Sequence, residues 1–204
     1  MIDEQLTPRG ISDPLVIAAF ENVPRHAFVA DEFLEISYSD HPLPIGDNQT
    51  ISQPYMVALM TECLALKGGE KVLEIGAGSG YQAAILSRIA KDVFSVERIP
   101  ELADRADRTL KSLGYSNCLV TAGDGTVGWP EHAPYDGIIV TAGAPDIPKS
   151  LVSQLGPGGR LVIPVGSGYS QVLTVVEKCG DSIKTRDICG CVFVPLIGEE
   201  GWRG

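Results

Sequence analysis

Three glycines alternate with small residues at 76–80, directly after an apolar run at 72–75 that contains Glu74. Glycine lets a backbone turn tightly and approach a ligand closely, and a helix that follows such a turn presents free N–H groups and the positive end of its dipole. About twenty residues further on, Glu97 ends the next apolar run, where a carboxylate can accept hydrogen bonds from a ribose. The spacing predicts a βαβ unit that binds a nucleoside.

The spacing of the glycines also separates two kinds of nucleoside cofactor. Dinucleotide sites have the pattern G-x-G-x-x-G and rest a pyrophosphate on the first turn of the helix. This chain has G-x-G-x-G, with Glu74 two residues before the first glycine. A carboxylate is unfavourable beside a pyrophosphate but suits the ammonium group of an amino-acid tail. We therefore expect S-adenosylmethionine (SAM); a nicotinamide-dependent oxidoreductase, or a turn that binds no ligand, are the alternatives.

The elements around this motif alternate between strand and helix from residue 71 onward. The alternation predicts an α/β fold that is Rossmann-like and doubly wound, with a mostly parallel sheet. Two final strand-like runs have no helix between them, which predicts antiparallel edge strands at the C-terminal end of the sheet. The predicted strands are 72–75, 93–97, 119–121, 137–141, 160–165, 172–177 and 188–195, and the predicted helices are 81–90, 100–113 and 147–155.

The N-terminal part of the chain differs in character from this core. Helices are predicted at 14–23 and from Pro54 onward, and 40–47 is predicted to be a proline-rich loop. We expect a single domain of 204 residues, in which an N-terminal helical segment at 1–68 contributes to substrate binding and 69–204 forms the Rossmann-like core.

Composition and charge limit the class of partner. A net charge of −10 argues against nucleic acid or an anionic membrane, and no apolar run is long enough to span a bilayer. The N-terminus carries no apolar signal segment, and five cysteines, an odd number, argue against a disulfide framework. Three scattered histidines and the isolated pair Cys189 and Cys191 offer no metal-ligand spacing. We therefore expect a cytoplasmic protein without a metal site. We also expect a monomer.

Two sequence motifs resemble those of a known family. The stretch at 73–82 is similar to the first motif of class I SAM-dependent methyltransferases. The stretch Thr50-Ile51-Ser52-Gln53-Pro54-Tyr55-Met56 resembles the signature of the protein-L-isoaspartate (D-aspartate) O-methyltransferase family. Further matches, which extend the resemblance over nearly the whole chain, lie at 123–125, 135–142, 161–166 and 193–196.

The resemblance implies a repair enzyme with a defined set of site residues. Such an enzyme transfers a methyl group from SAM to the free carboxylate of L-isoaspartyl or D-aspartyl residues in damaged proteins, and S-adenosyl-L-homocysteine is released. The ester closes to a succinimide, which reopens in part to normal aspartate. The resemblance implies that Ser52 lies beside the accepting carboxylate, that Glu97 binds the ribose hydroxyls, and that Asp124 borders the adenine. The other residues expected to bind the cofactor are Thr50, Ile51, Glu74, Gly76, Ala77, Gly78, Gly125 and Gln171, together with Ser52 itself.

A carboxylate acceptor places few demands on catalytic side chains, because it is already ionised at neutral pH and needs no general base. Positioning and the exclusion of water can therefore supply most of the acceleration. Ser52 is expected to donate a hydrogen bond to the acceptor, and N–H groups of the helix that begins at Pro54 are expected to favour the anion. The alternatives are that Ser52 only caps this helix, and that the protein binds SAM without catalysis; the intact stretch 50–54 argues against the second.

Overall fold

The computed structural model describes residues 1–180 and 182–203. Seven strands form one sheet in the order β5-β4-β3-β6-β7-β8-β9, and β1 and β2 form a separate two-stranded sheet. The strands are β1 (Leu43–Gly46), β2 (Gln49–Ile51), β3 (Lys71–Ile75), β4 (Asp92–Glu97), β5 (Cys118–Ala122), β6 (Tyr135–Val140), β7 (Leu155–Gly166), β8 (Gln171–Cys179) and β9 (Ser182–Cys191). The helices are α1 (Pro14–Asn22), α2 (Pro54–Leu64), α3 (Tyr81–Ser87), α4 (Pro100–Ser112) and α5 (Lys149–Ser153).

The large sheet has a parallel part and an antiparallel part. β3 runs parallel to its neighbours β4 and β6, which in turn pair in parallel with β5 and β7. β8 and β9 continue the sheet beyond β7 as antiparallel strands. The predicted doubly wound, mostly parallel sheet with antiparallel edge strands at its C-terminal end is therefore confirmed.

The core lies on both faces of this sheet. Val72 of β3 packs in a cluster with residues of α1 to α4, whereas Leu73 and Ile75 pack on the opposite face with Leu151 of α5. Because a central strand is covered on both faces, its residues are buried in succession rather than alternately, which explains the unbroken apolar run around Glu74. Within the described residues, no helix is long and apolar enough to cross a membrane.

Local signals explain the start of α1 and the end of α4. The carboxylate of Asp13 accepts hydrogen bonds from the N–H groups of Leu15 and Val16, so α1 begins where predicted and ends at Asn22. α4 ends at Ser112, and Gly114 follows with a positive φ of +82°, as its position after the periodic stretch predicts. α3 and α5 are both shorter than the predictions of 81–90 and 147–155.

Two segments correct the sequence-based assignment. The stretch 40–47, predicted to be a loop, contains β1, which pairs with β2 across a turn in which Asp47 and Asn48 both have positive φ. The last strand is Ser182–Cys191 rather than 188–195. Its first half is exposed and polar because it forms the edge of the sheet, so it lacks the apolar alternation that predicts a strand.

Candidate active site

A cleft opens at the carboxyl ends of β3, β4 and β6, where Ile75, Glu97 and Thr141 line it. The strand order reverses here, because the chain proceeds from β3 toward β4 and β5 but from β6 toward β7 on the other side. In open α/β sheets such a switch point leaves a crevice in which ligands bind. The space between the walls, counted together with the open mouth of the cleft, amounts to about 970 Å³.

The glycine turn after β3 forms one wall of the cleft. Gly76 and Gly78 have φ of +96° and +54°, and the Gly76 N–H donates to the carbonyl of Val96 at 2.8 Å. The Thr141 hydroxyl donates to the carbonyl of Gly76 at 2.8 Å, and a Cβ added at Gly76 would collide with this hydroxyl. The conformation therefore requires glycine, and it brings backbone rather than side chains to the cleft.

Glu97 is held at the end of β4 by two backbone N–H groups. Its Oε2 accepts from Gly78 at 2.9 Å and its Oε1 accepts from Ile99 at 2.9 Å. An ionised carboxylate has about four acceptor positions, so these two bonds leave lone pairs for further donors. The side chain lines the cleft although only 7% of its surface is exposed. This geometry fits the prediction that Glu97 binds the two hydroxyls of a ribose.

Thr50, Ile51 and Ser52 lie together along another wall of the cleft. Ser52 connects β2 to α2, and its backbone carbonyl accepts a hydrogen bond from the Nη2 of Arg25 at 2.7 Å. The N-cap position of α2 is occupied by Gln53, whose side chain makes no capping hydrogen bond. The alternative that Ser52 only caps this helix is therefore wrong.

The start of α2 is occupied by a carboxylate of the chain itself. Asp40 Oδ1 accepts the N–H of Tyr55 at 2.9 Å, and Asp40 Oδ2 accepts from the amide of Gln53 at 3.1 Å and from Arg9. The N–H groups of Met56 and Val57 both bond to the carbonyl of Gln53. The expectation that N–H groups of this helix hold the substrate anion is thus corrected, because these donors are already used.

Glu74 is not among the residues that line the cleft. It lies on the sheet face that carries α3, fully buried, where its Oε2 accepts from the hydroxyl of Ser95 and its Oε1 has no partner among the described residues. Burial raises the pKa of Glu74 to about 8, so the carboxyl group is largely protonated at neutral pH. A neutral group on this face does not supply a counter-charge for an ammonium group, so the geometry does not support that expectation.

Asp124 lies at the edge of the cleft, but its carboxylate bonds to the protein. It accepts from the N–H of Thr126 at 2.8 Å and from the N–H of Glu199 at 2.8 Å, which ties the C-terminal segment to this edge. The neighbouring Gly125 lines the cleft, and a Cβ there would collide with Ile75. The backbone of Gly125 therefore lines the cleft, whereas the carboxylate of Asp124 positions the segment around Gly125.

Gln171 is buried and is not among the residues that line the cleft. Its Nε2 donates to the carbonyl of Ser167 at 2.6 Å, and its Oε1 accepts from the N–H of Phe193 at 2.8 Å. The side chain therefore connects the loop before β8 with the chain that leaves β9. Because that chain continues into cleft-lining residues at 194–197, Gln171 shapes the wall without contributing to its surface.

Sequence analysis missed several residues of the cleft. Thr141 and Ala142 follow the strongly apolar β6, and a position just beyond a parallel strand is a signal that could have identified them. The segment 194–197 carried no such signal, because long-range bonds place it: Gly143 donates to Val194 at 2.7 Å and accepts from Leu196 at 2.8 Å. Others are Gln49, Tyr81, Gln82, Arg98 and Ile99.

The chemistry of the lining suits an adenosyl ligand with an ionised acceptor beside it. Val96, Ile99 and Leu196 offer apolar surface for a base, and Glu97 offers acceptors for a diol. Among the described residues that line the cleft there is no His, Cys or Lys. Within the described part of the chain, no group of three His, Cys, Asp or Glu residues could hold a metal ion.

Comparison with known sequences relates the whole chain to one family. A family model described as protein-L-isoaspartate(D-aspartate) O-methyltransferase matches residues 1–201. Protein-L-isoaspartate O-methyltransferase 2 of Pelobacter propionicus is 60% identical over 204 residues, which cover 99% of this chain and 91% of the relative. Protein-L-isoaspartate O-methyltransferase 1 of Syntrophobacter fumaroxidans is 55% identical over 100% of this chain and 95% of the relative.

Solved structures give the same relationship. A protein-L-isoaspartate O-methyltransferase superposes with a TM-score of 0.87 at 33% identity, over 96% of this chain and 64% of that chain. A beta-aspartate methyltransferase from Plasmodium falciparum, solved in complex with S-adenosyl-L-homocysteine, superposes with a TM-score of 0.82 at 27% identity, over 95% of both chains.

Proposed function

Because the chain belongs to the protein-L-isoaspartate (D-aspartate) O-methyltransferase family, we propose that it methylates the free carboxylate of L-isoaspartyl and D-aspartyl residues in damaged proteins, with SAM as the methyl donor. The observation that carries the proposal is one cleft in which the glycine turn and Glu97 lie beside Ser52. The methyl ester formed would close to a succinimide, and reopening of that ring restores aspartate in part.

The chain offers a separate set of groups for each part of the cofactor. SAM, when bound, supplies a methyl group activated by its sulfonium. Glu97 accepts hydrogen bonds from the ribose hydroxyls with the lone pairs that Gly78 and Ile99 leave free. Backbone at Gly76 and Ala77 contacts the amino-acid portion, and Gly125 borders the base. Thr50 and Ile51 complete the wall nearest the acceptor. The bonds of Asp124 and Gln171 support a role in shaping this cleft.

Ser52 acts on the acceptor rather than on the donor. An isoaspartyl carboxylate is ionised at neutral pH, and the lining supports a mechanism in which no side chain removes a proton. The Ser52 hydroxyl donates a hydrogen bond that orients one carboxylate oxygen, and the walls of the cleft exclude water from the reacting pair. Since this acceptor segment and the glycine turn share one cleft, the arrangement favours a catalyst over a module that only binds SAM.

Two matched peptides test the proposal. One contains an isoaspartyl residue and the other contains an aspartyl residue at the same position. The two peptides therefore differ only in which carboxylate is free and in one methylene group of the backbone. We expect radiolabelled methyl transfer from SAM to the isoaspartyl peptide, to a D-aspartyl version, and not to the normal peptide. Equal labelling of the isoaspartyl and normal peptides would refute the repair function, and no labelling of any peptide would refute the enzymatic function.

The setting of the reaction is also part of the proposal. The five cysteines are all free in the described structure, which suits a reducing compartment, and we assign the protein to the cytoplasm on this basis. The net charge of −10 opposes binding to nucleic acid.

One buried cluster contains Phe20 and Val57 together with Ile85 and Val162, which supports a single domain over 1–204. We propose a monomer, which light scattering behind a sizing column would test.

A further inference from the structure

Arg25 is a buried cation that the reaction proposed above does not use. It begins the short helical turn Arg25–Phe28 of the N-terminal segment, and its side chain is 0% exposed. Burial of a guanidinium costs free energy, because the group loses its hydration, unless hydrogen bonds and the π electrons of a nearby ring compensate for that loss. Here burial lowers the pKa of Arg25. The hydrogen bonds and the aromatic contact of this side chain explain why the folded protein keeps a buried charge at this position.

The guanidinium joins two carbonyls from distant parts of the chain. Arg25 Nε donates to the carbonyl of Ser37 at 2.7 Å, and Arg25 Nη2 donates to the carbonyl of Ser52 at 2.7 Å. Ser37 follows a short helical turn and Ser52 connects β2 to α2, so regular secondary structure fixes neither carbonyl. The planar fork of an arginine sets the two donors at a fixed separation, so one side chain determines the relative placement of both segments.

The same guanidinium also contacts the segment that carries the glycine turn. Its carbon lies 4.9 Å from the centre of the Tyr81 ring, and Tyr81 is the first residue of α3, directly after Gly80. Tyr81 and Ser52 both line the cleft. Arg25 thus touches the acceptor segment and the start of α3 at once, from a position below the surface of the cleft.

We propose that Arg25 is a positioning residue, which holds the Ser52 peptide at a fixed place relative to the glycine turn so that the Ser52 hydroxyl meets the acceptor carboxylate. This inference rests on the function proposed for Ser52. Its effect falls on the acceptor side, because Glu97 and Gly76 are held by backbone bonds of their own in which Arg25 has no part.

The kinetic test compares Arg25→Lys and Arg25→Gln with wild type. Lysine keeps the charge but has no planar fork, and glutamine removes the charge. We expect kcat/KM for an isoaspartyl peptide to fall about ten- to a hundredfold, since small displacements of positioning groups have effects of that size, while the Kd for SAM changes less than about threefold. Val176→Ala is the matched control, since it removes buried volume from β8 and lies outside the cleft.

A second measurement is independent of activity. Hydrogen–deuterium exchange should become faster in the segment 49–56 of Arg25→Lys, while the exchange of β7 and β8 stays as in wild type. If wild type methylates the peptide but the Arg25 variants match Val176→Ala per folded molecule, the positioning role is refuted. If wild type transfers no methyl group, the proposed function fails, and unchanged exchange at 49–56 would then refute the positioning role separately. Should Arg25→Gln not fold, Arg25→Lys decides both measurements.

Discussion

The carboxylate of Glu97 accepts the backbone N–H of Gly78 at 2.9 Å, which joins the end of β4 to the turn that follows β3. The parallel register sets this distance, because Ile75 lies opposite Val96 and the residue after Val96 then reaches the level of the glycine turn. A single side chain therefore stabilises the left-handed turn and lines the cleft. In the proposed function it also binds the ribose.

Glu97→Gln should weaken SAM binding about ten- to a hundredfold, because hydrogen bonds to a charged acceptor are worth roughly 1.5–3 kcal/mol. The amide keeps the shape of the side chain, but only its oxygen can accept, so one of the bonds to Gly78 and Ile99 is lost as well. Isothermal calorimetry with SAM measures the effect. Glu131→Gln, an exposed change outside the cleft, is the control and should bind as wild type does. Equal affinities for both variants would contradict the assignment.

Gly76→Ala should lower both stability and SAM binding, because the new Cβ would collide with the hydroxyl of Thr141 and the residue has a φ of +96°. Gly114→Ala separates these two causes. Gly114 has a comparable φ of +82°, but a Cβ there meets no atom within 4 Å. We expect Gly114→Ala to cost about 1–2 kcal/mol of unfolding free energy in urea titrations with SAM affinity retained. A Gly76→Ala loss no larger than this would show that the close approach to Thr141 is unimportant.

Ser52→Ala should lower kcat for the isoaspartyl peptide about thirty- to a thousandfold with SAM affinity nearly unchanged, since one donor aimed at the reacting group is worth roughly 2–4 kcal/mol in comparable sites. The loss in stability should stay below about 0.5 kcal/mol, because Ser52 does not cap α2. Ser112→Ala removes an exposed hydroxyl at the end of α4 and serves as the control for both measurements. A full kcat in Ser52→Ala would exclude the orienting role, and complete loss of turnover would point instead to a covalent one.

The sequence predicts this fold well where a residue's environment is set by its own neighbours. Alternation of strand and helix predicts the parallel sheet, and the positive φ of Gly76 follows from a tight turn at a strand end. Prediction fails where distant partners decide the outcome. Glu74 has the spacing of a cofactor ligand, but the structure buries it beside Ser95 of the neighbouring strand β4. The sequence predicts that N–H groups at the start of α2 are available to bind an anion. In the structure the carboxylate of Asp40, fifteen residues before Tyr55, accepts the N–H of Tyr55.

Glu74→Gln tests the placement of Glu74 against the expectation that its charge binds an ammonium group. If Glu74 is buried and protonated, the neutral glutamine replaces it closely, and SAM affinity should change less than about threefold. A counter-charge to the ammonium group would instead be worth roughly 1.5–3 kcal/mol, or a loss of at least tenfold. Calorimetry at pH 7 distinguishes the two. A loss of tenfold or more would show that the carboxylate reaches the cofactor.

The same variant should change how stability depends on pH. Burial raises the pKa of Glu74 from its ordinary value of 4.5 to about 8 in the folded state. Between these values the folded protein holds a proton that the unfolded chain releases, so this group makes wild type less stable as pH rises, and the loss levels off above about pH 8. Glu74→Gln does not titrate and should lack this loss, so its stability relative to wild type should increase from pH 5 to pH 8.5 by on the order of a few kcal/mol. Urea titrations at about pH 5, 7 and 8.5 measure the slope. Parallel stability profiles for Glu74→Gln and wild type would mean that Glu74 is ionised in the folded protein.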